Sequence, residues 1–314
     1  MQKRYVVLGL VMLVALAALP ILAQSTDKEL STNFTLVNLG PETVTGTVSY
    51  YQPDGTTWRD AETFTAEADG GQAIFRQYQQ GPGYIEAAGR GSVVVSADQP
   101  MGAVVQIQAL GQDPTSRGAY SALPAGDAAF YVPLMARMLD TASGLANSQV
   151  VVQNTGNGDV TVDIALVGPD GDIDYVHEDE VIVESAAFMY DLAEESAANV
   201  PDGWYGSANV TVDGDGEVAV VTNFFTGDAL QTFNAFGGAS PSQKWYVPLF
   251  TSRLANSLST PIAVQNLSGG EIAVAGVTVT CTPDPGLEGA STFSMANAEP
   301  IGNTAAYYFN PVID

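Results

Sequence analysis

Apolar residues recur along this chain with a period of two. In "DVTVDIALV" (Asp159–Val167), Val160, Val162, Ile164 and Leu166 point one way, while Thr161, Asp163 and Ala165 point the other. That alternation marks a β-strand with one buried face. "SANVTVD" (Ser207–Asp213) and "VAVVTNFF" (Val218–Phe225) behave alike, and Pro-Asp-Gly and Asn-Gly-type clusters between such runs predict tight turns. Helical periodicity is nearly absent; "LAEESAANV" from Leu192 is the best candidate for a short helix.

The same phrases return at long range. Asn38 and the turn Pro53-Asp54-Gly55 match Asn154 and Pro169-Asp170-Gly171, each 116 residues later. "GSVVVSADQP" from Gly91 matches "GSANVTVDGD" from Gly206, and "YVPLMAR" from Tyr131 matches "YVPLFTSR" from Tyr246, both 115 residues apart. Asn154 returns once more as Asn266. A period this long exceeds a solenoid repeat and suits a small domain of about seven strands. The expected division is a leader over 1–23, β-sandwich modules over 24–126 and 127–241, and an incomplete third module over 242–314.

This succession, from a "VNLG" or "QNTG" turn through an alternating strand to "PDG" and a late "GSAxV" strand pair, resembles the immunoglobulin-like β-sandwich modules strung along bacterial exported and cell-surface proteins. The resemblance implies an all-β chain of tandem immunoglobulin-like sandwiches, with roles in adhesion or assembly rather than an active site. Two departures stand out: no "YVPL" segment precedes the first unit, and the third stops at "NTAAYYFNPVID" before any "GSAxV" pair. Sheets built that way would expose unpaired edges, which invite pairing with another chain. Continuation beyond Asp314 is the favoured explanation, and strand addition by another chain is the alternative.

Other features refine the expected setting. Lys3 and Arg4, the apolar run Tyr5–Leu22 and the small residue Ala23 have the order of a secretory signal peptide cleaved before Gln24. An uncleaved anchor is the alternative, because the run approaches the ~20 residues that span a bilayer. No membrane span is expected in the mature chain. Ten Lys+Arg against 35 Asp+Glu give a net charge of −25, which excludes nucleic acid as a natural partner. Cys281 is the sole cysteine, so no internal disulfide can form, and it reads as a small buried strand residue.

Candidate chemistry is sparse. The one histidine, His177 in "VHEDE", is ringed by carboxylates that favour its charged form, which ill suits a general base, and no enzyme activity is expected. No cofactor is expected either, calcium being the one candidate. Asp170, Asp172 and Asp174 in "PDGDID", with Asp213 and Asp215 in "VDGDGEV", form oxygen-rich turns, yet neither turn completes the twelve-residue calcium loop. Trp204 and Tyr205 are the candidate ligand-binding residues, as a stacking platform for sugar. Asn33, Asn209 and Asn266 begin formal glycosylation sequons. Together these features predict an extracellular or cell-surface structural or adhesive protein, whose partners are other surface proteins or copies of itself. A carbohydrate-binding accessory protein, with polysaccharide as partner, is the alternative.

Overall fold

The computed structural model describes residues 30–77, 79–109, 117–238, 241–251, 260–284, 286 and 291–309. The expected leader lies outside them. Among the described residues the chain is all-β with no helix, so none is long and apolar enough to cross a membrane. The candidate helix from Leu192 is instead a series of turns.

Four sheets carry most of the strands. The first has the order β4 (Gln72–Arg76), β1 (Leu30–Asn38), β6 (Met101–Ala109), β7 (Arg117–Ser121). The second has the order β3 (Thr57–Ala66), β2 (Val44–Tyr51), β5 (Ser92–Ala97). In the third, β13 (Ala187–Asp191), β10 (Gly144–Asn154), β15 (Val218–Thr226) and β16 (Ala229–Asn234) follow one another, with β9 (Leu139–Thr141) also on β10. The fourth runs β12 (Ile173–Ile182), β11 (Val160–Val167), β14 (Trp204–Asp213), β8 (Ala129–Arg137), β17 (Phe236–Gly237). Two short ladders follow: β18 (Ile262–Gln265) with β21 (Ala306–Phe309), and β19 (Thr278–Cys281) with β20 (Phe293–Ala296). All neighbours are antiparallel.

These small sheets form a four-blade, propeller-like ring, which corrects the expectation of tandem immunoglobulin-like sandwiches. Phe34, Leu36 and Phe75 of the first sheet meet Val44, Val48, Tyr50 and Phe64 of the second. Val150, Val152 and Val220 of the third meet Val132, Val162, Ile164, Val210 and Trp204 of the fourth. The first and third are joined as well, because Ile107 packs on Phe225 and Leu230, and Asn234 Nδ2 donates to the Ser121 carbonyl at 2.7 Å. The second sheet closes on the turn between β12 and β13: Ser92 Oγ donates to the Ser185 carbonyl, and Gly55 lies against Val183. Tandem modules would leave a bare linker where these contacts run. Alternation could not reveal this, since it says that one strand face is buried but not which sheet buries it.

The last ladders dock on the fourth sheet through Val167, Ile301 and Ala305, and Ser207 Oγ donates to the Thr304 carbonyl at 2.8 Å. Cys281 is buried with Met295 and Phe309, as its place in the alternation required.

Candidate functional site

The recurring asparagines form one device, built from the same bonds each time. Asn154 is buried; its amide donates to the carbonyls of Gly158 at 2.8 Å and Ile182 at 2.9 Å, and its Oδ1 accepts from Gly156 N–H at 2.9 Å. Asn38 donates to the carbonyls of Ala66 at 3.2 Å, Glu67 at 3.0 Å and Glu42 at 2.6 Å, and accepts from Gly40 N–H at 2.9 Å. Asn266 donates to Gly270 at 2.6 Å and to Ile301 and Gly302 at 2.9 Å, and accepts from Ser268 N–H at 3.0 Å. Each side chain thus closes its own turn and ties it to a chain segment far away in sequence. Asparagine alone offers two donors and an acceptor at this reach, which is why the residue type recurs. Asn297 forms a related clasp with the roles exchanged: it donates to Glu299 of its own turn at 2.7 Å and to Ala273 at 2.9 Å, while its Oδ1 accepts from the distant Val277 N–H at 2.8 Å.

The clasp also bears on the glycosylation sequons. Asn266 has every side-chain polar atom engaged and is buried, so the folded protein offers no acceptor there. Asn33 is buried in β1, and Asn209 lies in β14, where its Oδ1 accepts from Gln265 Nε2 at 3.0 Å.

The aspartates of the two acidic turns do not converge on one site. Asp170 Oδ1 accepts from Asp172 N–H at 3.2 Å across a turn whose Gly171 has φ +91°. Asp174 Oδ2 accepts from Trp204 Nε1 at 2.7 Å. Asp172 and Asp215 are exposed. Among the described residues the carboxylates that do converge are Asp163, Asp179 and Asp213, within 4.8 Å of one another. Only Asp213 of these belongs to the acidic turns singled out in the sequence. Asp163 and Asp179 are brought to it because β11 pairs with both β12 and β14, and Asp179 sits at an irregularity of that ladder with φ +58°. Its N–H donates to Asp163 Oδ1 at 2.9 Å. The missed signal was Asp163, an acid on the polar face of an otherwise apolar strand.

Trp204 and Tyr205 part company. Trp204 is a core residue, 7% exposed, with its ring inside and its N–H held by Asp174. Tyr205, on the other face of β14, is 49% exposed and lines an open hollow of about 280 Å³ with Pro169, Glu299, Tyr307 and Tyr308. His177 lies between Phe188, stacked at 5.4 Å, and Tyr190 at 4.8 Å, with Nε2 3.1 Å from Glu180 Oε2. Beside it Tyr190 OH donates to Glu195 at 2.9 Å. Burial, then that bond to a carboxylate, push the Tyr190 phenol well above its ordinary value. Partial burial works against ionisation of Glu195, but hydrogen bonds from Asn199, Ser196 N–H and Tyr190 outweigh it and hold the carboxyl below its usual range. The phenol thus donates, as a neutral group, to an ionised carboxylate.

No family model matches the chain, and no curated protein or solved structure matches it.

Proposed function

We propose that this is an exported, non-catalytic structural or adhesive protein of the cell surface or extracellular matrix. The observation that carries the reading is the repeated asparagine clasp: the polar side chains that return along the chain are buried and engaged with backbone, so what recurs is a scaffold. The single histidine is packed between aromatic rings and paired with Glu180, and the acidic surface suits a protein kept soluble outside the cell. Cell fractionation with immunogold labelling tests this. Label on the cell surface or in the surrounding matrix is expected, and label confined to the cytoplasm would overturn the proposal.

Carbohydrate binding is the second reading, favoured by the hollow in which Tyr205, Tyr307 and Tyr308 gather beside Glu299. Aromatic faces with a nearby carboxylate are the groups that stack and hydrogen-bond a sugar ring. A glycan array separates the two readings, with Tyr205→Ala rather than a Trp204 variant as control, because Trp204 is core. A scaffold gives no signal; a sugar-binding protein gives one that Tyr205→Ala abolishes.

A further inference from the structure

Two strand positions far apart in the described chain are complementary. In the fourth sheet β14 lies between β11 and β8, with Ala208 opposite Val132, Asn209 opposite Tyr131 and Val210 opposite Phe130. That seam seals a core, for Val132, Ala208 and Val210 are wholly buried and Phe130 nearly so. In the second sheet β5 stands where β14 does: it pairs with β2 as β14 pairs with β11, and its "GSVVV" lies 115 residues before "GSANV". Among the described residues, however, no strand lies on the far edge of β5. Val93, Val94 and Val95 are accordingly only partly buried.

The counterpart of β8 is just as incomplete. "WYVPLF" (Trp245–Phe250) lies 115 residues after "FYVPLM" (Phe130–Met135) but belongs to no sheet. Trp245, Tyr246, Val247 and Leu249 are 59%, 80%, 50% and 74% exposed. The segment is fixed at both ends, since the Trp245 ring meets Phe236 at 5.5 Å and Phe250 meets Phe293 at 6.3 Å. Pro248 matches Pro133, so a proline is already accommodated at this point of a paired strand.

We infer that Trp245–Leu249 of one copy adds, in a second copy, to the edge of β5 that no described strand covers, antiparallel and in the register of β8 on β14. Trp245 then lies opposite Val95, Tyr246 opposite Val94, and Val247 opposite Val93. Trp245 and Val247 cover the core of the second sheet as Phe130 and Val132 cover that of the fourth. The proposed seam repeats one the chain already contains, and both halves are carried by the same polypeptide, so the occupant is a second copy. Gln153 Nε2 reaches the Val93 carbonyl across this edge at 3.4 Å, a long bond that an incoming backbone N–H would replace. Because the two patches differ, the contact is head-to-tail and propagates unless rotation closes a ring. Copies carrying a net charge of −25 repel, so association strengthens with salt as the screening length falls from about 10 Å at 0.1 M to about 3 Å at 1 M. The inference rests on the reading of the chain as a structural protein and adds its partner and register.

The test mixes two purified variants of the full chain, Val94→Cys and Tyr246→Cys, under mild oxidation. Cys281 stays in place, being buried with its thiol pushed up by that burial. The mixture is expected to form the 94–246 cross-link, and the out-of-register mixture of Val94→Cys with Leu249→Cys is not. Sedimentation of the unmodified protein should show oligomers growing with concentration in 1 M salt, abolished by Val247→Asp without change in circular dichroism. A chain monomeric throughout, equal cross-linking out of register, or association untouched by Val247→Asp would each overturn the inference. None of these bears on surface labelling, whose failure would overturn the proposed function alone.

Discussion

Replacing Asn154 with alanine removes one clasp and leaves its neighbours in place. Ile182 is 2% exposed, so its carbonyl loses the 2.9 Å bond with no water to replace it. An unsatisfied buried acceptor costs about 1–3 kcal/mol. Gly156 and Gly158 lie nearer the surface, where water partly replaces the bonds, and a net loss of about 0.5–1 kcal/mol for the pair is reasonable. The sum is roughly 1.5–4 kcal/mol, a large part of the ~5–15 kcal/mol that holds a typical domain together. Urea unfolding followed by circular dichroism should show the midpoint fall at unchanged slope. Asn154→Asp is the discriminating partner: it keeps shape and acceptor but turns a carboxylate toward the Gly158 and Ile182 carbonyls, so at neutral pH it should be at least as damaging as alanine. A loss below about 0.5 kcal/mol for Asn154→Ala, or an aspartate as stable as the parent, would refute the clasp as a source of stability.

Trp204→Phe should keep most of the packing but lose the 2.7 Å bond to Asp174, at a cost of about 1–2 kcal/mol in urea unfolding. Asp179→Asn should stabilise by a few tenths to about 1 kcal/mol at low salt and less at high salt, because asparagine tolerates the +58° φ while the crowding of three carboxylates is relieved. Tyr120, where burial pushes the phenol up to about 12, favours its neutral form in the fold. Its contribution is therefore complete below the ordinary value near 10 and lost as pH rises toward 12, and Tyr120→Phe should flatten that part of an alkaline stability profile.

What the sequence made legible follows from what each signal encodes. The period-two runs became β11, β14 and β15, because alternation reports directly on a strand with unlike faces. The Pro-Asp-Gly turns also appear, with Gly55 and Gly171 at φ +78° and +91°, where a side chain would be strained. Ring closure was not legible, since it depends on Ile107 meeting Phe225 and Leu230, contacts between residues far apart in sequence with no local mark. Trp204 looked like a surface platform because an aromatic after a turn can point either way; β14 turns it inward and Tyr205 outward. The asparagines were visible as a recurrence, but their bonds to Ala66, Ile182 and Ile301 required the fold. Asn297 makes a related set of bonds with the roles exchanged and does not stand in register with the others, so repetition alone could not find it.

Native-state hydrogen exchange tests the central claim, that the repeated asparagines serve a scaffold, more directly than any other measurement. The amides of Gly156 and Ser268 lie in turns nearer the surface and that of Gly40 in a buried one, and each donates to a buried asparagine Oδ1. The account predicts that all three exchange as slowly as core amides such as those of Val150 and Val162, opening only with the surrounding sheets. Exchange at the rate of exposed turn residues such as Asp172 and Asp215 would contradict it, because the clasps would then be open in solution and the recurrence would need another explanation.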